Sequence, residues 1–452
     1  MTIRLYNTKT KTKQDFAPLL PDHVRLYACG PTVYDRIHVG NARPLVVFDV
    51  LVRLLRAVFA NVTYVRNITD VDDKINARAA ERGISIAELC EQTIISFHED
   101  CQALAVLPPD KEPRATDHIT QMIEMISTLV EKGFAYEAEG HVLFSVEKMS
   151  EYGQLSGRSL DEMIAGARVE VAPYKAHPAD FVLWKPADTN TPGWDSPWGR
   201  GRPGWHIECS AMSADYLGTE FDIHAGGLDL IFPHHENEIA QSVCAHGTSQ
   251  MAAFWVHNGY VTVEGEKMSK SLGNFTTVED ALAYHKGEVV RFSLLSSHYR
   301  APFDFSDAAL GQARTILDKF YRAAEKADRT NLPSDLDDLD KEFISALCDD
   351  LNTPLAIAGL HRLAGEANKG DAESARQLVS CARLLGLLGD PNWFEAGDED
   401  EADAGAIEQA IAARNAARAA RDFAEADRIR DELADQGIKL LDGPDGTRWE
   451  RA

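Results

Sequence analysis

The feature that most constrains the fold is an apolar strand that leads through a turn into a long amphipathic helix. Residues 25–29 (RLYAC) form an apolar run that Gly30 and Pro31 end in a turn. After a polar loop, Pro44 marks the first turn of a helix whose apolar residues recur at helical spacing, at Leu45, Phe48, Leu51, Leu55 and Val58. Residues 61–68 then indicate a second strand. Together these segments predict a βαβ unit, and hence an α/β fold with a parallel sheet.

The loop that enters this helix carries residues suited to a nucleotide. His38 and Asn41 lie beside the helix N-terminus, and Gly40 lets the backbone approach a ligand closely. Parallel sheets bind ligands at the carboxyl ends of their strands, and a helix N-terminus there attracts phosphate. We therefore expect a nucleotide at this edge of the sheet.

A second segment, Lys267–Ser271 (KMSKS), supplies further phosphate-binding groups. It places two ammonium groups and two hydroxyls within five residues, between Gly265 and Gly273. Such donors can close over a polyphosphate and neutralise the charge that develops as pyrophosphate leaves. Taken alone, the pattern is equally typical of a solvated surface turn. Together with the His38 loop, it would hold ATP from two sides.

Composition indicates a globular protein of several domains. A length of 452 residues predicts about three domains, at roughly 150 residues each. The hydrophobic content of 44%, the charged content of 26% and the mean hydropathy of -0.27 argue against disorder and against membrane residence. The richest apolar run, residues 44–59, is interrupted by Asp49, Arg53 and Arg56, so we expect neither a leader nor a membrane span.

Cysteine usage and net charge bear on location and partners. The seven cysteines are odd in number and widely scattered, which favours a reducing cytoplasm and leaves thiols for metal binding. The net charge of -25 counts against a nucleic-acid partner, because phosphate neutralisation supplies much of such affinity. An RNA partner would therefore require a local exception to the overall charge.

Changes in composition divide the chain into predicted domains. Residues 1–305 form a catalytic α/β domain with an insertion at about 115–204, where amphipathic helical stretches precede a Trp-, Gly- and Pro-rich segment. We expect the sheet to resume near Trp205. Residues 306–390 have helical periodicity throughout and predict a helical bundle.

The C-terminal segment has a different character. After an acidic linker, residues 401–452 combine an Ala- and Arg-rich helical stretch with a β-hairpin, which predicts a small α+β domain. Arg414, Arg418 and Arg421 fall on one helical face, and Trp449 could stack on a base. The alternative is an exposed helix whose arginines pair with acidic neighbours on the same helix.

Four residues suggest a metal site. His234 and Glu238 are four apart on a predicted helix and so project from one face, while Cys29 ends the first strand and Cys209 lies near the resumed sheet. Thiolate, imidazole and carboxylate are the groups that bind zinc. The spacing follows no short zinc-finger pattern, and the alternative is a buried apolar Cys29, a helix-terminus histidine and a solvated Glu238.

The combination of motifs resembles the cysteinyl-tRNA synthetase family of class I aminoacyl-tRNA synthetases. The resemblance runs from near the start of the chain to the C-terminal hairpin. The motifs that carry it lie at residues 29–34 (CGPTVY), 38–41 (HVGN), 66–70 (RNITD), 204–210 (GWHIECS), 226–229 (GGLD), 232–238 (FPHHENE) and 267–271 (KMSKS). Asn41 stands where a histidine is commoner, and its amide can still donate to a phosphate or ribose oxygen.

The resemblance implies a fold and an activity. The expected fold is a Rossmann-like parallel-sheet catalytic domain with a connective insertion, followed by a helical bundle and a small α+β domain that binds the tRNA anticodon. The expected activity is that of a cytoplasmic cysteine-tRNA ligase without a membrane partner. Such an enzyme forms cysteinyl-adenylate from L-cysteine and ATP, with Mg²⁺, and passes cysteine to the 3′ end of tRNA(Cys).

The resemblance also implies site residues. The residues that match its ligands for one zinc ion per chain, which holds the substrate thiolate, are Cys29, Cys209, His234 and Glu238. The catalytic residues would be His38, Asn41, Lys267 and Lys270, and the ATP contacts would add Gly40, Gly227 and Asp229. The substrate contacts would be Thr69, Trp205 and Asp229, while the roles of His206, His224 and His257 stay open. Because four protein ligands ordinarily close a zinc site, we expect five-coordination or a loosened Glu238 when substrate binds.

Two other functions fit parts of the pattern. One is a related ligase that activates cysteine in the same way but joins it to an amino-sugar amine, and such an enzyme would not need an anticodon-binding domain. The other is a non-catalytic RNA-binding relative, which should have lost phosphate- or zinc-binding residues. The arginine-bearing C-terminal segment and the retained motifs favour the tRNA ligase.

Overall fold

The structure is a computed structural model of the chain, and it contains two compact units, residues 1–389 and residues 390–452. The residues that it describes are 2–160, 162, 172–189, 191–263, 265–268, 273–325, 327, 332–333, 336–394, 398–419, 422–435, 438–443 and 446–451.

The first unit combines strands and helices in alternation. Its strands are β1 (Arg4–Asn7), β2 (Thr12–Asp15), β3 (His23–Ala28), β4 (Asn61–Arg66), β5 (Ala135–Ala138), β6 (His141–Phe144), β7 (Phe181–Pro186), β8 (Gly201–Pro203), β9 (Phe221–Gly227), β10 (Ala252–Asn258), β11 (Val261–Val263), β12 (Glu266–Lys267) and β13 (Phe303–Asp304). Its helices are α1 (Val39–Val58), α2 (Asp73–Arg82), α3 (Ile86–Ala103), α4 (Ile119–Glu131), α5 (Trp205–Leu217), α6 (Glu236–His246), α7 (Val278–Leu282), α8 (Gly287–Leu295), α9 (Asp307–Ala324), α10 (Lys341–Cys348), α11 (Thr353–Asn368) and α12 (Ala372–Leu384).

Four parallel strands form the central sheet, in the order β10-β9-β3-β4. The predicted βαβ unit is present as β3, α1 and β4, with Leu26 opposite Tyr64. On its other side β3 pairs with β9, with Leu26 opposite Ile223. Because the chain reaches strands on both sides of β3, the connections diverge at its carboxyl end and leave a crevice there.

The insertion predicted at about 115–204 differs from expectation in its secondary structure. Amphipathic helices were expected, and α4 is one, with Met125 and Leu129 buried. The insertion also forms an antiparallel sheet, β5-β6-β7-β8. Strands of three to six residues are too short for alternation to stand out in the sequence. The central sheet resumes at Phe221 and not near Trp205, because Trp205 begins helix α5.

A buried ion pair ties the helical region to the sheet domain. The guanidinium of Arg291, on α8, contacts the carboxylate of Asp49 on α1, and both side chains are fully buried. Arg291 also donates to the backbone oxygens of Leu385, at 2.6 Å, and Leu104, at 2.9 Å. Removing Asp49 would leave the buried guanidinium without this carboxylate, which typically costs about 3–5 kcal/mol, whereas Asp49 has a second partner in Arg53, at 2.7 Å.

The second unit contains α13 (Asp398–Ala419), α14 (Phe423–Asp435) and an antiparallel hairpin of β14 (Ile438–Gly443) and β15 (Gly446–Arg451). Its small core consists of Ile407, Ile411, Ile429, Leu433 and Ile438. The acidic run expected as a linker lies at the start of α13.

The predicted arginine face of the second unit is only partly present. Arg414 is buried and Arg418 is exposed, while Arg421 lies outside the described residues. Arg428, on α14, pairs with Glu425 and Glu432 of its own helix, while the alternative interpretation of Arg414, Arg418 and Arg421 stays a prediction. The side chain of Trp449 is also outside the description, so its stacking role stays a prediction.

Candidate active site

A cleft of about 560 Å³ opens at the carboxyl edge of the central sheet. Cys29 directly follows β3, Gly227 ends β9 and Asn258 ends β10, so neighbouring parallel strands deliver all three to one edge. The predicted site residues that line the cleft are Cys29, His38, Gly40, Asn41, Trp205, Gly227, Asp229 and Lys267. Sequence-distant motifs therefore meet in one cavity.

The N-terminus of α1 is closed by a reciprocal cap. The backbone N–H of Asn41 donates to Nδ1 of His38 at 3.2 Å, and the backbone N–H of His38 donates to Oδ1 of Asn41 at 3.3 Å. Because Nδ1 accepts, a neutral His38 carries its proton on Nε2. A Cβ added to Gly40 would lie 2.9 Å from the His38 ring, so only glycine fits beneath this imidazole.

The Lys267 side chain also lines the cleft. Its Nζ is 3.5 Å from Oδ2 of Asp229 and 4.0 Å from the ring centroid of Tyr260. A Cβ on Gly227 would come within 2.5 Å of Oδ1 of Asp229, so this glycine makes room for the carboxylate. Lys270 lies outside the described residues, and its role stays a prediction.

Thr69 takes a different place from the other predicted substrate contacts. It is buried, its hydroxyl donates to Oε2 of Glu208 at 3.0 Å, and it is not among the described residues that line the cleft. Its hydroxyl also accepts from the Asn67 amide at 3.2 Å. Thr69 is thus buried next to Glu208 and outside the described lining of the cleft, and its contact with substrate stays a prediction.

The four predicted metal ligands come together at the head of the cleft. Ligand atoms of Cys29, Cys209, His234 and Glu238 all lie within 4.8 Å of one another. The Cys29 sulfur is 3.9 Å from the Cys209 sulfur and 3.7 Å from Oε1 of Glu238. Oε1 of Glu238 is also 3.0 Å from Nε2 of His234. Separations of this size suit a small cation with bonds of about 2.0–2.3 Å.

The electrostatics of this cluster favour binding of a cation. Burial raises the pKa of Glu238, but His224 and His234 outweigh it and hold this pKa at about 2. The hydrogen bond from Cys29 lowers the pKa of Cys209 to about 6, against the effect of burial. Burial also opposes the charged form of His234, yet Glu238 and Cys209 raise its pKa to about 10. A buried carboxylate and thiolate thus share the proton on His234, and a divalent cation would displace that proton.

Further histidines surround the cluster and orient it. Nε2 of His224 lies 2.8 Å from Oε2 of Glu238, and Nδ1 of His206 lies 2.9 Å from Nδ1 of His234. Burial lowers the pKa of His206 to about 3, so His206 is neutral near neutral pH. Such outer hydrogen bonds fix the rotamer and tautomer of metal ligands.

His235 is a residue that sequence reasoning left unassigned. Its Nε2 is 3.3 Å from the Cys29 sulfur, and Cys29, His224, His235 and Glu238 form a second, overlapping group with ligand atoms within 4.8 Å. Nδ1 of His235 is 2.8 Å from Nε2 of His257, whose Nδ1 is 2.8 Å from the Thr8 hydroxyl. Two adjacent histidines, His234 and His235, were the signal that the sequence offered for a second metal-binding residue. Only the fold shows that the His234 ring faces His206 and Glu238, while the His235 ring faces Cys29 and His257.

Comparisons with known proteins decide the family. The family model of the class I (C) tRNA synthetase catalytic domain matches residues 15–315, and the DALR domain matches residues 342–391. A cysteine–tRNA ligase of Rhodospirillum rubrum is 59% identical over the full length of both chains. A cysteine–tRNA ligase of Saccharophagus degradans is 53% identical, again over the full length of both chains. The chain belongs to the cysteine–tRNA ligase family.

Solved structures of other class I synthetases share the fold of this cysteine–tRNA ligase family member. Methionyl-tRNA synthetase of Mycobacterium tuberculosis has a TM-score of 0.56 at 15% identity, over 80% of this chain and 89% of that one. A leucyl-tRNA synthetase of Agrobacterium radiobacter has a TM-score of 0.56 at 12% identity, over 82% and 84% of the two chains. The expected α/β fold class and the expected family are therefore confirmed. Among the described helices, none is both long and apolar enough to cross a bilayer.

Arg43 holds part of the cleft in place, and no sequence pattern indicated this role. It is fully buried on α1, and burial lowers its pKa to about 10. Its Nη1 donates to the backbone oxygens of Gly259, at 3.0 Å, and Tyr260, at 2.8 Å, and its Nη2 donates to Oγ of Ser297 at 3.0 Å. Arg43 thus fixes the loop that presents Tyr260 beneath Lys267.

Gly40→Ala tests the close packing beneath His38. The new Cβ would meet the imidazole at 2.9 Å and displace it from the cap of α1. We expect kcat for cysteine-dependent pyrophosphate exchange to fall about 10- to 100-fold, because small displacements of positioning groups are costly. Gly365→Ala is the matched control, since a Cβ on this helical glycine meets nothing within 4 Å. Equal rates for Gly40→Ala and wild type would contradict the packing argument.

Proposed function

We propose that this enzyme activates L-cysteine with ATP and transfers it to the 3′ end of tRNA(Cys), and that zinc selects the substrate thiolate. The observation that carries the proposal is the sulfur, nitrogen and oxygen cluster at the head of the nucleotide cleft. Cys29 belongs to both, since it contributes to the cluster and lines the cleft. A cation held there would face the cavity in which ATP is expected.

The donor set suits zinc better than a harder cation. The sulfurs of Cys29 and Cys209 are soft ligands, whereas Mg²⁺ and Ca²⁺ prefer oxygen alone. Zinc, when bound, would supply a soft Lewis acid for the substrate thiolate. Cys29, Cys209, His234 and Glu238 would hold it. Glu238 is suited to release the metal when substrate binds. Its Oε1 faces the other ligands, while its Oε2 stays hydrogen-bonded to Nε2 of His224.

Recognition of the substrate sulfur can separate cysteine from serine, which the shape of a pocket alone does poorly. Serine differs from cysteine by one atom, and a shape-based pocket rejects such near-isosteres by only about 100-fold. Thiols ionise near pH 8.5 in model peptides, whereas alcohols do not ionise appreciably in this range. Trp205 walls the pocket by stacking on His234, with ring centroids 4.2 Å apart. The pocket thus supplies shape, and the sulfur-binding site supplies chemical identity.

The residues around the cleft would hold ATP by its phosphates. The N-terminus of α1, the Nε2 proton of His38 and the amide protons of Asn41 form one set of donors. Lys267, with Lys270 and a Mg²⁺ ion, would form the other set and neutralise charge on the leaving pyrophosphate. Gly40, Gly227 and Asp229 all line the cleft; the two glycines would allow close approach, and Asp229 would contact the substrate or the ribose.

With these groups in place, the reaction needs no nucleophilic side chain. The carboxylate of cysteine attacks the α-phosphorus of ATP, so that cysteinyl-adenylate forms and pyrophosphate leaves. A ribose hydroxyl of the terminal tRNA adenosine then attacks the carbonyl carbon and AMP leaves. The protein contributes orientation and stabilisation of developing charge, which are the usual large terms for such transfers.

The family and the chain's own thiols bear on the remaining alternatives. Relatives named cysteine–tRNA ligase match the whole chain, second unit included, which favours tRNA over an amino-sugar acceptor. The described metal and phosphate motifs are retained, which disfavours a non-catalytic relative. All seven cysteines are free thiols, which supports a cytoplasmic location.

Amino-acid selection tests the proposal. We expect cysteine-dependent pyrophosphate exchange to exceed serine-dependent exchange by well over about 100-fold, because the metal–sulfur bond adds to discrimination by shape. A zinc chelator should abolish exchange, and added Zn²⁺ should restore it. Cys209→Ser should lose bound zinc and most activity, whereas Cys244→Ser, a buried thiol on α6 outside the cluster, should keep both. Comparable turnover of serine would refute selection by sulfur.

Removal of the second unit tests the tRNA role proposed for residues 401–452. A chain that ends at Gly389 should keep nearly all cysteine-dependent pyrophosphate exchange, because the cleft lies within the first unit. Aminoacylation of tRNA(Cys) should fall steeply, since contacts that position the tRNA are lost. Both activities are measured on one truncated protein with a cooperative unfolding transition. Unchanged charging would exclude the tRNA role, and equal loss of both activities would indicate a structural one.

A further inference from the structure

A loop of the connective insertion grips the segment that carries two of the proposed metal ligands. The insertion loop comprises residues 152–158, and the ligand segment comprises residues 232–238, with His234 and Glu238 among them. Between these ligands lies Glu236, which is buried and points to the insertion loop. We propose that Glu236 is a positioning residue through which the insertion holds the zinc ligands in place, an inference that rests on the zinc site proposed above.

The grip consists of backbone amides that surround one carboxylate. Oε1 of Glu236 accepts from the N–H groups of Gly153, at 3.0 Å, and Leu155, at 3.3 Å, and Oε2 accepts from the N–H of Ser156 at 2.8 Å. Gly153 has φ of 100°, a conformation that favours glycine. Successive N–H groups turned toward one point form an anion-binding concavity. A carboxylate this deeply buried is stable only with such donors.

Two neighbouring contacts reinforce the grip. The hydroxyl of Tyr152 donates to Oδ1 of Asn237, the residue between Glu236 and Glu238. The guanidinium of Arg158 lies 5.3 Å from the ring centroid of Phe232. The insertion loop therefore contacts the ligand segment at Phe232, Glu236 and Asn237.

The position of Glu236 explains why this grip matters for a metal. His234 precedes α6 and Glu238 lies in its first turn, so the distance between their ligand atoms depends on how this turn is held. Glu236 does not itself belong to either candidate ligand group. It faces the insertion, whereas His224 and His206 contact the ligands directly. The ligand segment is thus fixed from the insertion side by Glu236 and from the sheet side by His224.

Glu236→Gln isolates the grip, because the amide keeps the size of the carboxylate but sets its NH2 group against backbone N–H donors. We expect the full-length variant to bind zinc about 10- to 100-fold more weakly than wild type in competition with a chelator. We also expect the visible absorption bands of the Co²⁺-substituted protein to shift, since they report ligand geometry. Zinc affinity and Co²⁺ bands equal to those of wild type would overturn the proposal.

Asp180→Asn is the matched control. Asp180 lies in the same insertion, is equally buried and accepts three hydrogen bonds, from the N–H groups of Val146 (2.9 Å) and His177 (3.0 Å) and the hydroxyl of Tyr136 (2.7 Å). None of these hydrogen bonds joins Asp180 to the ligand segment, so its variant should keep the zinc affinity and the Co²⁺ spectrum. If both variants lost zinc affinity equally, general damage to the insertion would explain the loss, and a specific role of Glu236 would be contradicted.

A milder variant covers the case in which Glu236→Gln fails to fold. Tyr152→Phe removes only the hydroxyl that contacts Asn237. We expect it to fold and to shift the Co²⁺ bands in the same direction, and unchanged bands would contradict the grip. Absence of zinc binding by the wild-type enzyme would instead defeat the proposed zinc site, so the two failures are distinguishable.

Discussion

The burial of a carboxylate and a thiolate side by side is the constraint around which the catalytic domain is arranged. Glu238 is fully buried and Cys209 nearly so, and charges removed from water must be compensated where they lie. The compensation comes from His234 and His224, which in turn need partners of their own. The result is a polar network inside an otherwise apolar core, in which each unpaired polar atom is costly, and Nδ1 of His224 is one such atom among the described residues.

This requirement explains how distant parts of the chain share one site. Cys29 comes from the end of β3, Cys209 from α5, and His234 and Glu238 from the start of α6. The parallel sheet brings the ends of β3 and β9 to one edge, and the helices that follow β8 and β9 carry the other ligands to the same edge. The nucleotide cleft begins at Cys29, so the proposed sulfur-binding site and the proposed phosphate-binding site are neighbours.

Local sequence patterns predicted the parts of the fold that are themselves local. The β3-α1-β4 unit has a long apolar helix with clear periodicity, and it was predicted correctly. The antiparallel sheet of the insertion was missed, because its strands are short and because β6 pairs with β7 across a long separation in sequence, with Val142 opposite Trp184. The four proposed metal ligands were identified through the family resemblance, since their spacing alone left a structural interpretation open. Arg43, His235 and Glu236 act through partners more than 80 residues away, as with Gly259, Cys29 and Gly153, and no local pattern reveals such pairs.

The central claim is that the substrate sulfur binds to a metal held by Cys29 and Cys209. X-ray absorption at the zinc edge tests it most directly, on the zinc-loaded enzyme with and without L-cysteine. The account predicts two zinc–sulfur bonds in the free enzyme, from Cys29 and Cys209, and a third at about 2.3 Å when L-cysteine is added. L-Serine at the same concentration should leave the sulfur count at two. A count that stays at two with saturating L-cysteine would contradict the account.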